Sequence, residues 1–63
     1  MMKTTYIVRR AYKETRTGNI IPAGWDLYAQ EPGMTTENWC QRFWYKKDAV
    51  AAMEQAQREE EQN

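Results

Sequence analysis

Trp39-Cys40-Gln41-Arg42-Phe43-Trp44-Tyr45-Lys46-Lys47-Asp48-Ala49-Val50-Ala51-Ala52-Met53 is the stretch where the chain changes character. Its first seven residues are dense in aromatics and alternate, with Trp39, Gln41, Phe43 and Tyr45 opposite Cys40, Arg42 and Trp44. That pattern predicts a strand over about 39–45. From Lys46 nearly every residue is a strong helix former. Ala49, Ala52, Met53 and Ala56 recur at helical spacing, which predicts an amphipathic helix over about 46–60 lying on a surface through small side chains. Asp48 suits the first turn of that helix, whereas Glu59, Glu60 and Glu61 oppose its dipole at the far end, where fraying is expected.

Upstream, Thr4 to Lys13 is rich in β-branched and aromatic types. Tyr6, Val8, Arg10 and Tyr12 alternate with Thr5, Ile7, Arg9 and Ala11, giving a first strand over about 4–13. Gly18 and Asn19 end a polar run that reverses the chain. Pro22 and Gly24 mark either an edge or a second bend, so the next strand is expected over about 25–30, from Trp25 to Gln30. Glu31-Pro32-Gly33 has the residues of a type II turn. Thr35, Thr36 and Glu37 are an alternative start for a short helix, which the aromatic density downstream disfavours. The expected architecture is α+β: a three-stranded antiparallel sheet followed by one C-terminal helix packed on one face, all in a single small domain spanning 1–63.

The chain has 63 residues, with one leucine, eight aromatics and a single cysteine. A domain this short buries only about 60% of its unfolded surface. Its core must be largely aromatic, and a second copy (a homodimer) or a protein partner would add burial. Cys40 alone excludes an internal disulfide. The N-terminus has no basic, apolar and small-residue succession of a secretory signal, so a cytoplasmic location is expected. No apolar run is long enough to cross a bilayer.

The net charge is zero but segregated. Residues 1–24 carry five basic side chains against Glu14 alone, a net +4, and residues 25–63 carry the compensating −4.

Chemistry is scarce. With neither histidine nor serine, no Ser-His-Asp or Cys-His arrangement and no histidine-bearing zinc site can be built. Cys40 reads as a small hydrophobe rather than an activated thiol. Asp26, Glu31 and Glu37 lack the cleft that paired-carboxylate catalysis needs. Gly18, Gly24 and Gly33 sit in separate turns, so no phosphate-cradling loop exists. The expectation is a binding module without enzymatic activity, cofactor or metal. One helix covers one sheet face, and which set of side chains is inside stays open. Either choice leaves aromatics near solvent, so Tyr28, Trp39 and Trp44 are the candidates for a protein-binding face. Arg9, Arg10, Lys13, Arg16 and Arg42 are the candidates for a nucleic-acid stripe, which a pI near 6.2 disfavours.

The run Phe43-Trp44-Tyr45-Lys46-Lys47-Asp48-Ala49, with Ala51, Ala52 and Met53 after it, resembles the strand-to-helix junction of integrase-type arm DNA-binding domains, which read F-x-T-K-K-E-A. That resemblance covers about eleven residues. It implies three strands entering a major groove with the helix behind them, and Arg9, Arg10, Lys13 and Arg42 facing DNA. Tyr45 stands where that family has its N-capping Thr. In size and style the chain is also similar to small phage and mobile-element proteins that block host defences, anti-CRISPR proteins among them. That likeness implies a protein target.

Overall fold

The computed structural model describes residues 3–62, and its element order is β1 (Thr5–Glu14), β2 (Ile20–Gln30), β3 (Asn38–Phe43) and α1 (Lys46–Gln62). The strands form one antiparallel sheet in the order β1-β2-β3, and the helix packs against it. The expected α+β class is the observed one.

The β1–β2 connection is a three-residue hairpin loop. Gly18 N–H donates to the Thr15 carbonyl at 3.0 Å, Thr15 N–H donates to the Asn19 carbonyl at 2.8 Å, and Gly18 takes φ +85°. A type I turn closed by a left-handed residue is a standard solution for that loop length. At the other end of β2, Met34 N–H reaches the Glu31 carbonyl at 3.1 Å, with Gly33 at φ +83°. This is the type II turn expected from Pro32-Gly33.

Two registers differ from simple alternation. β2 begins at Ile20, five residues before the expected start at Trp25, and carries Pro22 within it. The reason lies in the pairing: β3 meets β2 only from Trp25 to Ala29, so at Pro22 the strand has β1 on one side and nothing on the other. A residue without an N–H is tolerated on such an edge. Between Arg10 and Tyr12 the register slips, so that Ala23 and Gly24 together oppose Ala11. This bulge absorbs the bend that Pro22 and Gly24 suggested. A second bulge sits in β3. Leu27 pairs with Gln41 but Tyr28 pairs with Trp39, leaving Cys40 as the inserted residue. The expected alternation therefore breaks at Cys40, and Trp39 shares a face with Arg42 instead of with Gln41 and Phe43. β3 also ends at Phe43, before Trp44 and Tyr45, which form the bend into the helix.

Tyr6, Val8, Arg10, Trp25, Leu27, Gln41 and Phe43 share one face by register. The helix lies on that face, since Lys46 sits over the Trp25 ring at 5.3 Å and Glu60 meets Tyr6 at 3.3 Å. It thus runs antiparallel to β1, starting near Trp25 and ending near Thr4. Ala49, with no exposed surface, and Leu27, at 6%, form the centre of the contact. The helix extends to Gln62, two residues past the expected end. Glu60 continues the helix stripe of Ala49, Ala52, Met53 and Ala56, of which Ala49 is buried and the rest, Glu60 included, are partly covered. It accepts from Thr4 N–H at 2.7 Å and from the Tyr6 hydroxyl at 3.3 Å, tying the last turn to β1.

Beyond Gly24 and Ala11 the β1–β2 hairpin continues without β3 and without the helix, as a two-stranded arm. The whole molecule measures 47 × 25 × 11 Å, with a radius of gyration of 13.8 Å. A compact chain of this length would have about 11 Å.

Candidate interaction surface

The face turned away from the helix is built in two rows. In one, Asp26 on the central strand is flanked by its register partners Arg9 on β1 and Arg42 on β3; in the next, Tyr28 is flanked by Ile7 and Trp39. Asp26 is only 6% exposed. It accepts from Arg42 through Nε at 2.8 Å and through a second guanidinium nitrogen at 3.2 Å, and from the Trp39 indole at 3.1 Å. The hydrogen bonds from Arg42 hold the Asp26 carboxyl below the usual carboxylate range, aided by the Trp39 N–H, while burial opposes them. Arg9 turns instead to the loop. Its guanidinium engages both Glu37 oxygens, one at 2.6 Å, and lies over the Tyr28 ring at 5.4 Å. Each arginine on this face thus has its own carboxylate.

The three candidate aromatics therefore divide. Tyr28 and Trp39 are direct cross-strand partners on the open face, and Trp39 is 57% exposed even with its N–H engaged. Trp44 lies outside the sheet at the β3–α1 bend, 85% exposed, with Tyr45 beside it at 64%. Trp44 also lines a shallow recess of about 180 Å³ with Ala23, Arg42 and Phe43, where the arm leaves the sheet. That volume is below the roughly 300–1,000 Å³ of a small-molecule pocket and suits one inserted side chain.

The five candidate basic residues are not gathered into one stripe. Arg9, Lys13 and Arg42 belong to the open face by register, Arg10 lies on the helix side over Trp25 at 4.8 Å, and Arg16 is in the hairpin loop. Lys13 and Arg16 have no carboxylate within ion-pair distance among the described residues.

Two features escaped the reading of the sequence. The role of Asp26 as the shared acceptor of Arg42 and Trp39 depends on the Cys40 bulge, which no sequence pattern marks. Cys40 itself is exposed rather than buried, with its thiol 3.7 Å from the Asn38 carbonyl. The exposure of Tyr12 at 57% and Ile20 at 65% follows from the length of the arm, for which Ile20-Ile21 directly after a turn was the available signal. Among the described residues there is no group of three side chains able to hold a metal ion, and no helix is long and apolar enough to cross a membrane. No protein-family model matches the chain, and no curated protein or solved structure matches it either.

Proposed function

We propose that this chain is a non-catalytic binding module whose target is a protein, engaged through Trp44 and the aromatic edge formed by Trp39 and Tyr28. The observation that carries this reading is the 85% exposure of Trp44 beside a recess of single-side-chain size. The strand before Trp44 and the helix after it fix the backbone at this residue and so the place where its ring is presented. Exposed aromatics, with arginine nearby, are the usual anchors of protein interfaces. Arg42, half exposed beside the recess, supplies that arginine. Occlusion of a larger complex, as the likeness to anti-defence proteins implies, is one use for so small a wedge.

A second reading, a sheet-mediated DNA binder, draws on Lys13 and Arg16, which project from an arm thin enough for a major groove. Against it, Arg9 and Arg42 already hold carboxylates, and a phosphate would have to displace Glu37 and Asp26 to reach them. Titration of a fluorescent duplex at rising salt separates the two. The protein reading predicts only weak binding that Lys13→Ala with Arg16→Ala leaves little changed. Tight binding with a steep salt slope, abolished by that pair of substitutions, would establish the DNA reading instead.

A further inference from the structure

We infer that two copies of this chain join edge to edge through β1, antiparallel, about a two-fold axis that passes through Tyr12 perpendicular to the sheet. In the order β1-β2-β3 the far side of β1 has no neighbour among the described residues. Such an edge is a template for another strand unless charge, proline or a bulge guards it. β1 runs ten residues without a proline, and the bulge beside it belongs to β2.

The hairpin shows which backbone groups that edge presents. Thr15 N–H points across to the Asn19 carbonyl. Bonding direction alternates along an antiparallel strand, so Lys13, Ala11 and Arg9 turn their backbone groups to β2, and Glu14, Tyr12 and Arg10 turn theirs outward. Pro22 agrees with this, since it stands opposite Tyr12, where no N–H is exchanged. At the start of the strand the edge is closed, because Glu60 holds the Thr4 N–H at 2.7 Å.

Charge selects the occupant and the register. Arg10, Tyr12 and Glu14 lie in line on the helix side of β1, all three exposed. Arg10 stacks on Trp25 but has no carboxylate, and Glu14 has no cation, within ion-pair distance among the described residues. When β1 pairs with its own copy, directly opposite residues share a face, and like charges there are destabilising. An axis at Arg9, Arg10, Lys13 or Glu14 sets that charge against itself, and an axis at Ala11 sets Arg9 against Lys13. An axis at Val8 needs the Thr4 N–H that Glu60 holds.

An axis at Tyr12 avoids all of these. It places Arg10 opposite Glu14 of the second copy, twice by symmetry, with Tyr12 opposite Tyr12 and Ala11 opposite Lys13. The Arg10 guanidinium then has the Trp25 ring on one side and a carboxylate on the other. Each outward pair exchanges backbone hydrogen bonds, and the arm, marginal as a two-stranded ribbon, becomes half of a four-stranded sheet. The contact is isologous and closed. The second copy lies beside β1 and not over it, so α1 keeps its place, and Trp39 and Trp44 stay free at the far edge.

Sedimentation equilibrium and amide hydrogen exchange over a wide concentration range test the pairing, with circular dichroism confirming that each variant is folded. At high concentration the wild-type chain is expected at twice its 7.5 kDa mass, with exchange slowed at the Arg10, Tyr12 and Glu14 amides. Tyr12→Pro removes an outward N–H without touching the ladder to β2 and should abolish the dimer. Arg10→Glu and Glu14→Arg, each alone, oppose like charges at both ends and should raise the dissociation constant about tenfold or more. An equimolar mixture of those two variants should pair about as tightly as the wild type, since every glutamate then meets an arginine. A wild-type monomer at every concentration would overturn the inference. So would a dimer whose three outward amides exchange as in the monomer, one that a folded Tyr12→Pro retains, or a mixture no tighter than its components.

Discussion

Gly24 and Asp26, two residues apart on β2, show how much of this small structure hangs on single side chains. Gly24 has φ +94°, and a Cβ there would fall well inside contact with the Phe43 carbonyl oxygen and lie 3.3 Å from its carbon. Both atoms are backbone and cannot swing aside. Gly24→Ala is therefore expected to cost more than the roughly 1–3 kcal/mol of backbone strain alone, and to loosen β3 from β2. Its urea midpoint, compared with that of Ala23→Gly, checks this. At Asp26 the depressed pKa fixes the direction of an acid effect. The folded value lies below the ordinary 3.8 because Arg42 and then Trp39 donate to the carboxylate. The stabilisation is thus fully present above about pH 4 and disappears as pH falls through the folded pKa. Glu60, lowered chiefly by the Thr4 N–H, acts in the same direction. Asp26→Asn should remove about 1–3 kcal/mol at neutral pH and flatten the loss of stability below pH 4. An acid limb as steep in the variant as in the wild type would assign the effect elsewhere. The Gly24 turn signal was legible in the sequence because only glycine takes that backbone conformation at no cost. The Asp26 cluster was not, because it exists only once the bulge at Cys40 has carried Trp39 to the other face.

Among the elements, the helix was the most legible, since alanines at helical spacing and a run of good helix formers leave one reading. The arm was the least. Pro22 read as an edge or a second bend with the strand starting only at Trp25, and it is the lack of β3 beside it that makes a proline acceptable within β2. The helix start is the element's weak point. Tyr45 provides a carbonyl to Asp48 and Ala49 N–H, at 3.2 and 3.3 Å, but no side-chain acceptor for the first turn. Tyr45→Thr supplies one and is expected to stabilise by about 0.5–1 kcal/mol, after losing the exposed contact of Lys47 with the ring. For a domain of this size that raises the melting temperature by a few degrees, about 4–8 °C per kcal/mol. At the other end, Glu60→Ala removes the acceptor of both Thr4 N–H and Tyr6. Hydrogen exchange should then quicken in the last helical turn and at the start of β1 while the Leu27 region keeps its protection.

For the whole molecule, the features that set it apart are elongation and, among the described residues, the absence of any large, fully buried side chain. A chain with one cysteine has no disulfide to compensate. Its stability is drawn from Leu27 and Ala49 between sheet and helix, from Ala11 buried on the opposite face at the β1–β2 bulge, and from cations stacked on aromatics. Those stacked pairs, Arg9 on Tyr28 and Arg10 with Lys46 on Trp25, are how an aromatic-rich chain uses its arginines and lysines internally. They also explain why the basic first half of the sequence does not become one basic stripe. Trp44 is left outside this scheme, and a protein target is the use proposed for it. The most direct test is affinity capture from a lysate of the native host with wild type and Trp44→Ala in parallel, washed at high salt with and without nuclease. The account predicts a stoichiometric protein that survives salt and nuclease on the wild type and is missing from Trp44→Ala. Retained nucleic acid released by salt, with Trp44→Ala behaving as the wild type, would contradict it.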